Sequence, residues 1–251
     1  MSSSAIVWGL GGHVLKVGLS PLLLDLMERG FVQGIALNGA GAIHDAELAM
    51  IARTSEDVAS SIRDGSFGMA RETADFLNSA VRDGSKQGLG FGEAVGRAID
   101  AERLPHRELS LLAACARRKI PATVHVTLGA DIVHMHPSAD GAAIGATSLK
   151  DFRDFCAVVA GMEGGAYLNW GSAVTLPEVF LKAVSVARNL GHPLNRFLTA
   201  NFDQLPHYRP KVNVLQRPGG ENHDLRGQHE ILMPLLRWLL IADASELSSK
   251  P

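Results

Sequence analysis

The sequence predicts an α/β fold, a Rossmann-like parallel sheet with helices on both faces. Short apolar runs at 5–10, 32–37, 121–128 and 166–170 each end in glycine or small polar residues, as strands covered on both faces do. Stretches of helical periodicity separate them, which is the alternation a parallel sheet requires. With 251 residues, 46% of them hydrophobic, the chain can bury a substantial core. One α/β domain over 1–251 is expected, with a helical insert at about 42–118.

In order, Ala5 to Leu10 reads as a first strand stopped by Gly9, Gly11 and Gly12. Gly9 and Gly11 begin a dinucleotide fingerprint, but Val14 stands where its third glycine would fall. Ser20 as N-cap, Pro21 at N1 and Gly30 as C′ bracket a helix with Leu23, Leu26 and Met27 on one face. A strand at Val32 to Leu37 completes a βαβ unit. Asn38, Gly39 and Gly41 turn the chain into a helix whose first turn holds His44 and Asp45. Helical patterns then follow at Ala42 to Ala52, Glu56 to Arg63, Met69 to Val81, Glu93 to Ala101 and Arg107 to Arg118, with a flexible glycine stretch from Gly84 to Gly92. Pro121 to Leu128 is β-branched and strand-like, ending at Gly129, Ala130 and Asp131. His136 to Thr147 reads as a loop, and Ser148 as the cap of a helix carrying Phe152, Phe155, Cys156 and Val159. After a strand at Ala166 to Trp170, Gly171 and Ser172 turn the chain. Thr175-x-x-Glu178 then has the form of a capping box before a helix closed by Gly191. Phe197 to Phe202 is the next strand. The polar stretch Gln204 to Asp224 holds at most a short strand at Val212 to Leu215, and Gln228 to Ile241 is a last helix with Pro234 as kink or start.

Composition excludes several classes. The 24 basic and 26 acidic side chains give a net charge of -2 with no long run of one sign, so neither nucleic acid nor a membrane surface is expected as a partner. No apolar stretch approaches a membrane span, and the first eight residues lack the pattern of a cleaved leader. Cys115 and Cys156 read as two buried thiols, which suits a reducing cytoplasm.

Four strand ends carry the candidate site: Gly9 to Gly12, Asn38 to Gly41, Thr127 to Asp131, and Asn169 to Ser172. In an open α/β sheet such ends converge on one crevice, where a nucleotide-sized ligand binds. Gly11, Gly12, Asn38, Gly39, Ala40, Gly41, Thr127, Asp131, Gly171 and Ser172 are therefore candidate cofactor contacts, against the reading that the glycines only make tight turns. His44 and Asp45 could move a proton or orient an amine; Asp45 could equally serve only the helix dipole. Glu178 could meet a cation or only close its capping box. Lys211 could be an amine-activating lysine or a solvated one. His134 and His136, with Asp131, could hold a metal, which would suit a metal-dependent hydrolase.

These residues carry a resemblance. The first glycine turn, then Ile35-Ala-Leu-Asn-Gly-Ala-Gly-Ala-Ile-His-Asp-Ala-Glu47, then 121–131, then 165–183, then Thr199-Ala-Asn-Phe-Asp203 resemble deoxyhypusine synthase in order and turn chemistry. Asn38, Gly41, Ala42, His44, Asp45 and Glu47 also resemble an Asn-x-x-Ala-x-His-Asp-x-Glu element of the NAD-dependent ornithine cyclodeaminases of the same fold. The resemblance implies a deoxyhypusine-synthase-like NAD-binding fold, a homotetramer and an NAD cofactor. It further implies an amine or amino-acid substrate, acted on through hydride transfer and an imine. It adds Thr199, Ala200 and Asp203 to the cofactor contacts. His44 and Asp45 stand where that family has acidic residues, Gln228 replaces its cofactor-facing aspartate, and its catalytic lysine has Lys211 as nearest counterpart. A non-catalytic nucleotide-binding relative is the alternative from another class.

Overall fold

The structure, a computed structural model, describes residues 5–248. Six strands form one sheet: β1 (Ile6–Leu10), β2 (Gly34–Asn38), β3 (Ala122–His125), β4 (Ala166–Trp170), β5 (Leu198–Asp203) and β6 (Glu221–Arg226). Their order is β3-β2-β1-β4-β5-β6, and every ladder is parallel. The chain winds outward from β1 in one direction and then, from β4, in the other. The strand order therefore reverses between β1 and β4, the place where open α/β sheets take ligands.

The helices are α1 (Gly12–Lys16), α2 (Ser20–Glu28), α3 (Gly39–Ile51), α4 (Val58–Ser61), α5 (Arg71–Lys86), α6 (Phe91–Ala101), α7 (Leu111–Arg118), α8 (Gly141–Ala160), α9 (Thr175–Asn189) and α10 (His229–Ser248). Those from α3 to α7 lie between β2 and β3, where the helical insert is expected. One face of the sheet packs Trp8, Leu10, Leu37, Trp170 and Phe202 into a core with α1, α2, α3 and α7. The other packs Val7, Tyr167, Phe155 and Phe180 beneath α8 and α9. Trp170 stacks on Phe202 at 3.9 Å, and Tyr167 on Phe180 at 3.8 Å, one pair per face. Among the described residues no helix is long and apolar enough to cross a membrane. Cys115 and Cys156 are buried free thiols, as expected.

Several expectations are corrected. Ser20 is the first residue of α2 rather than its cap, Leu19 is the N-cap, and the Ser20 hydroxyl is buried without a partner. The loop expected at 136–147 ends at Asp140, whose side chain accepts from Ala142 and Ala143 N–H and starts α8 eight residues before Ser148. Ser148 serves the sheet edge instead: its Oγ donates to the Val124 carbonyl at 3.2 Å. Three residues on, Asp151 accepts from Val124 N–H at 2.7 Å and Gly92 N–H at 2.9 Å. One face of α8 thus satisfies the outward backbone groups of edge strand β3, which would otherwise invite another strand. No strand forms at 212–215, where the chain makes a π-helix over Pro210–Gln216. The sixth strand follows it at Glu221–Arg226, and all six of its side chains are exposed.

Burial pushes the Asp151 carboxyl up to about 7, although two backbone hydrogen bonds oppose the shift. A carboxyl raised in the folded state favours folding most below its unfolded value, near 3.8, and that contribution is lost as pH rises towards 7. Asp151→Asn, which keeps an acceptor, is expected to flatten the fall in Tm between pH 4 and 7.5. Asp151→Ala leaves two buried amides unpaired, at about 1–3 kcal/mol each, and should lower Tm at every pH. Calorimetry across that range checks both, and an unflattened slope for Asp151→Asn contradicts the assignment.

Candidate functional site

Bare glycines allow the four corners to meet. A Cβ on Gly11 would lie 2.2 Å from the Gly171 carbonyl oxygen, so the β1 and β4 corners touch backbone to backbone. Gly11 N–H donates to the Trp170 carbonyl at 2.8 Å across the same junction. On the other side, a Cβ on Gly12 would meet Ala40 Cβ at 3.0 Å and His44 Cδ2 at 3.3 Å, which places α3 against the β1 corner. A Cβ on Gly39 would fall 2.0 Å from Asp131 Oδ2, which brings in the turn after β3. Gly11, Gly12, Gly39, Ala40, His44, Asp131 and Gly171 therefore share one rim, as the sequence leads one to expect. Asp203, at the end of β5, is 8% exposed, and its Oδ1 accepts from Leu205 N–H at 3.2 Å.

The corner at β2 is not the open anion seat that its glycines suggest. Asn38 Oδ1 accepts from Gly41 N–H at 2.9 Å and caps α3, while the Asp131 carboxylate covers Gly39. A phosphate would meet a carboxylate there. Burial raises the Asp131 carboxyl above its usual range against the pull of Thr127 N–H, which donates to its Oδ2 at 3.1 Å, and of nearby His134; among the described residues no hydrogen bond to Oδ1 is found.

His44 lies in the second turn of α3 rather than the first, because the helix begins at Gly39. Its Nδ1 is 2.6 Å from Thr54 Oγ1, and Thr54 donates in turn to Glu47 Oε2. Glu47 also accepts from Thr73 Oγ1 at 3.4 Å. Burial acts to raise the Glu47 carboxyl, but the nearby His44 ring and hydrogen bonds from Thr54 and Ser55 outweigh it and hold the group below its usual range. Glu47 and Thr54 line a cavity of about 570 Å³, together with Arg53, Glu56, Glu72 and Thr73. A larger cavity, about 730 Å³, runs beside β3 between Arg97, Lys119 and Asp154, and none of the corner residues lines it.

Asp45, one residue on and about 100° around α3, faces α7 instead. It is fully buried, accepting from Ser110 Oγ at 2.5 Å, Leu111 N–H at 2.7 Å and Leu112 N–H at 3.2 Å. It caps α7 from α3, and burial pushes it up to about 6. This is the helix-dipole role, carried out on a different helix from its own, and not a catalytic one.

Other expected contacts are corrected on similar grounds. Ser172 Oγ accepts from Leu176 N–H at 3.2 Å and caps α9, so no capping box forms at Thr175. Glu178 instead binds Lys182, Arg209 at 3.1 Å and Asn213 at 2.8 Å, so its charge is already matched. Thr199 and Ala200 are buried within β5, short of its carboxyl end. Thr127 is exposed past the end of β3, its Oγ1 3.4 Å from Thr175 Oγ1. Lys211 is exposed on the π-helix, and no contact ties its side chain to the rim. Residues 132–135 form a 3₁₀ turn and not a strand, so the strand spacing does not apply to His134 and His136; among the described residues both ring nitrogens of His134 lack hydrogen-bond partners, whereas His136 Nδ1 sits 2.8 Å from Ser138 Oγ. Among the described residues no group of three His, Cys, Asp or Glu could hold a metal.

Sequence reasoning missed His13, His229 and Thr54. His229 is buried against Gly171, with Nε2 3.2 Å from the Phe202 carbonyl and Nδ1 unpartnered, and its ring lies 5.6 Å from that of His13. Glu47 was legible from its three-residue spacing to His44 on one helix face. Thr54 was not, since it lies beyond the left-handed Ala52 that ends α3.

No family model and no curated protein sequence matches this chain. Solved structures share its fold. AgrE is similar at 16% identity with a TM-score of 0.60, both in complex with L-arginine, where the match covers 99% of this chain and 31% of AgrE, and in a ternary complex with ornithine and NAD+, covering 98% and 31%. A conserved LOR/SDH protein from Methanococcus maripaludis S2 is similar at 16% identity and a TM-score of 0.56, covering 93% of this chain and 61% of that one. The chain thus spans about a third of AgrE. At this identity the likeness establishes the fold, a Rossmann-like α/β sheet.

Two helical glycines stand in opposite surroundings. Gly39→Ala should cost about 1–3 kcal/mol because Asp131 must move. Gly145→Ala, in open space on α8, should stabilise by about 1 kcal/mol. Denaturant unfolding of the two variants checks the contrast; equal effects would contradict the close approach at Gly39.

Proposed function

We propose that the chain is an NAD-dependent enzyme acting on an amine or amino-acid substrate. The observation that carries this reading is His44: it stands where the converged corners meet, its Nδ1 engaged with Thr54 and Glu47 and its Cδ2 edge turned to Gly12. The cavity beyond Thr54, on the Nδ1 side of His44, is lined by Glu47, Glu56 and Glu72 together with Arg53; its net negative lining suits a cationic group, although His44 itself does not line it. His44 would take the proton that the amine must shed before its carbon is oxidised. The ornithine and NAD+ held by AgrE agree with this reading at the level of the fold.

The residues present suit a dinucleotide in one respect and restrict it in another. The Asp131 carboxylate offers acceptor oxygens that match the hydroxyls of a ribose, while the same charge excludes phosphate from the Asn38–Gly41 turn. The diphosphate would then have to lie outside the packed Gly11 and Gly171 corners, whose N–H groups donate to the Trp170 and Phe202 carbonyls. When bound, NAD supplies the hydride acceptor. Assembly into several copies, with a tetramer as the resemblance implies, belongs to the same proposal and is measured by light scattering.

NAD at a hundredfold excess over its Kd is expected to raise Tm by roughly 5–10 °C. Amines or amino acids should then produce absorbance at the reduced cofactor's band. His44→Ala should lower that rate by about 100-fold or more while leaving the thermal shift intact. A thermal shift without reduction on any amine favours the non-catalytic nucleotide binder, and no shift at all ends the proposal.

A further inference from the structure

Glu47 and Thr54 are deployed in a way that the proposed reaction does not require and that fixes the chemistry of His44. Thr54 has one hydroxyl hydrogen. It is directed to Glu47 Oε2, so the Thr54 oxygen meets His44 Nδ1 at 2.6 Å by accepting. His44 must then carry its proton on Nδ1. Glu47 is itself held in place: its Oε1 accepts from Thr73 on α5 at 3.4 Å, and its Oε2 lies 3.5 Å from Ser55 N–H and 3.8 Å from His44 Nδ1. The His44 and Glu47 side chains are 18% and 14% exposed, so water competes weakly for these bonds.

We infer that Thr54 and Glu47 are positioning residues: Thr54 relays the Glu47 charge to His44 Nδ1 and holds the imidazole in the Nδ1–H tautomer, which leaves Nε2 as the unprotonated nitrogen of the neutral ring. The ring is anchored on its Nδ1 side, its Cδ2 packs towards Gly12, and among the described residues no hydrogen bond to Nε2 is found. A proton transferred from a substrate ammonium to Nε2 leaves the amine neutral and the ring doubly protonated, with its new charge facing Glu47 through Thr54. This is the arrangement of an acceptor base oriented by a third group, here with a hydroxyl interposed. The inference deepens the proposed reaction and assigns His44 the role of base in it; the tautomer itself depends on neither NAD nor substrate.

Nitrogen-detected NMR of the full chain labelled at histidine tests it without either ligand. His44 is expected as the Nδ1–H tautomer with an unprotonated Nε2 at pH values where the ring is neutral. Thr54→Val should lower the ratio of Nδ1–H to Nε2–H roughly tenfold, the equilibrium effect of one hydrogen bond, and Thr54→Ser should restore it. Glu47→Ala frees the Thr54 hydrogen to turn towards the ring and should shift the ratio the same way. A wild-type Nε2–H tautomer, or a ratio unmoved in Thr54→Val, overturns the inference. Amine-dependent reduction of NAD, measured in parallel, separates the two readings: an Nδ1–H tautomer that responds to Thr54→Val in an inactive protein sustains the relay and sinks only the reaction. In an active protein, Thr54→Val should lower kcat with the NAD thermal shift unchanged, and Thr54→Ser should recover it.

Discussion

Everything at the carboxyl end of the sheet depends on backbone approaching backbone. The β1 corner touches the β4 corner because Gly11 has no Cβ to collide with the Gly171 carbonyl, and the turn after β3 reaches α3 because Gly39 leaves room for Asp131. A side chain at either glycine would force elements apart by about the width of a methyl group, which close-packed interiors absorb poorly. The closeness also sets the site's electrostatics. Asp131 is brought over a helix N-terminus where glycines alone would have welcomed an anion, and so the corner presents an acceptor.

A second constraint holds the helical layer to that rim. Two buried carboxylates, Asp45 on α3 and Asp151 on α8, accept backbone N–H groups from other elements: Asp45 from the start of α7, Asp151 from the start of α6 and from edge strand β3. Desolvation opposes the charge of both, but amides that would otherwise be buried without partners require an acceptor there. The helices between β2 and β3 are thereby joined to the sheet by polar contacts as well as by the apolar core. Asp45 and His44 are neighbours in sequence with divergent tasks, because successive helical residues point about 100° apart: one fastens the scaffold and the other faces the corners.

The parts of the fold that were legible had a local cause. Strand ends at glycine, the amphipathic helices of the insert and the buried thiols all follow from short-range pattern, and the convergence of corners follows from the handedness of parallel crossovers. Misreadings arose where one residue type serves two kinds of partner. Ser148 has the form of a helix cap and binds a strand edge; Thr175 and Glu178 have the spacing of a capping box, while Ser172 does the capping and Glu178 binds Lys182, Arg209 and Asn213. The sixth strand carried no strand signal because an edge exposed along its whole length needs no alternation of apolar side chains.

By itself the sequence determined the class of architecture, since apolar periodicity and turn chemistry are properties of a few consecutive residues, and it placed His44 beside the glycine corners. The tertiary structure alone decided which polar groups face each other. Asp45 was turned to α7, Asp131 was set over Gly39, and Thr54 was brought from beyond the end of α3 to stand between His44 and Glu47. Those pairings join residues up to 92 positions apart, Gly39 to Asp131, and a hydrogen bond depends on distance and direction in space, which no interval along the chain encodes.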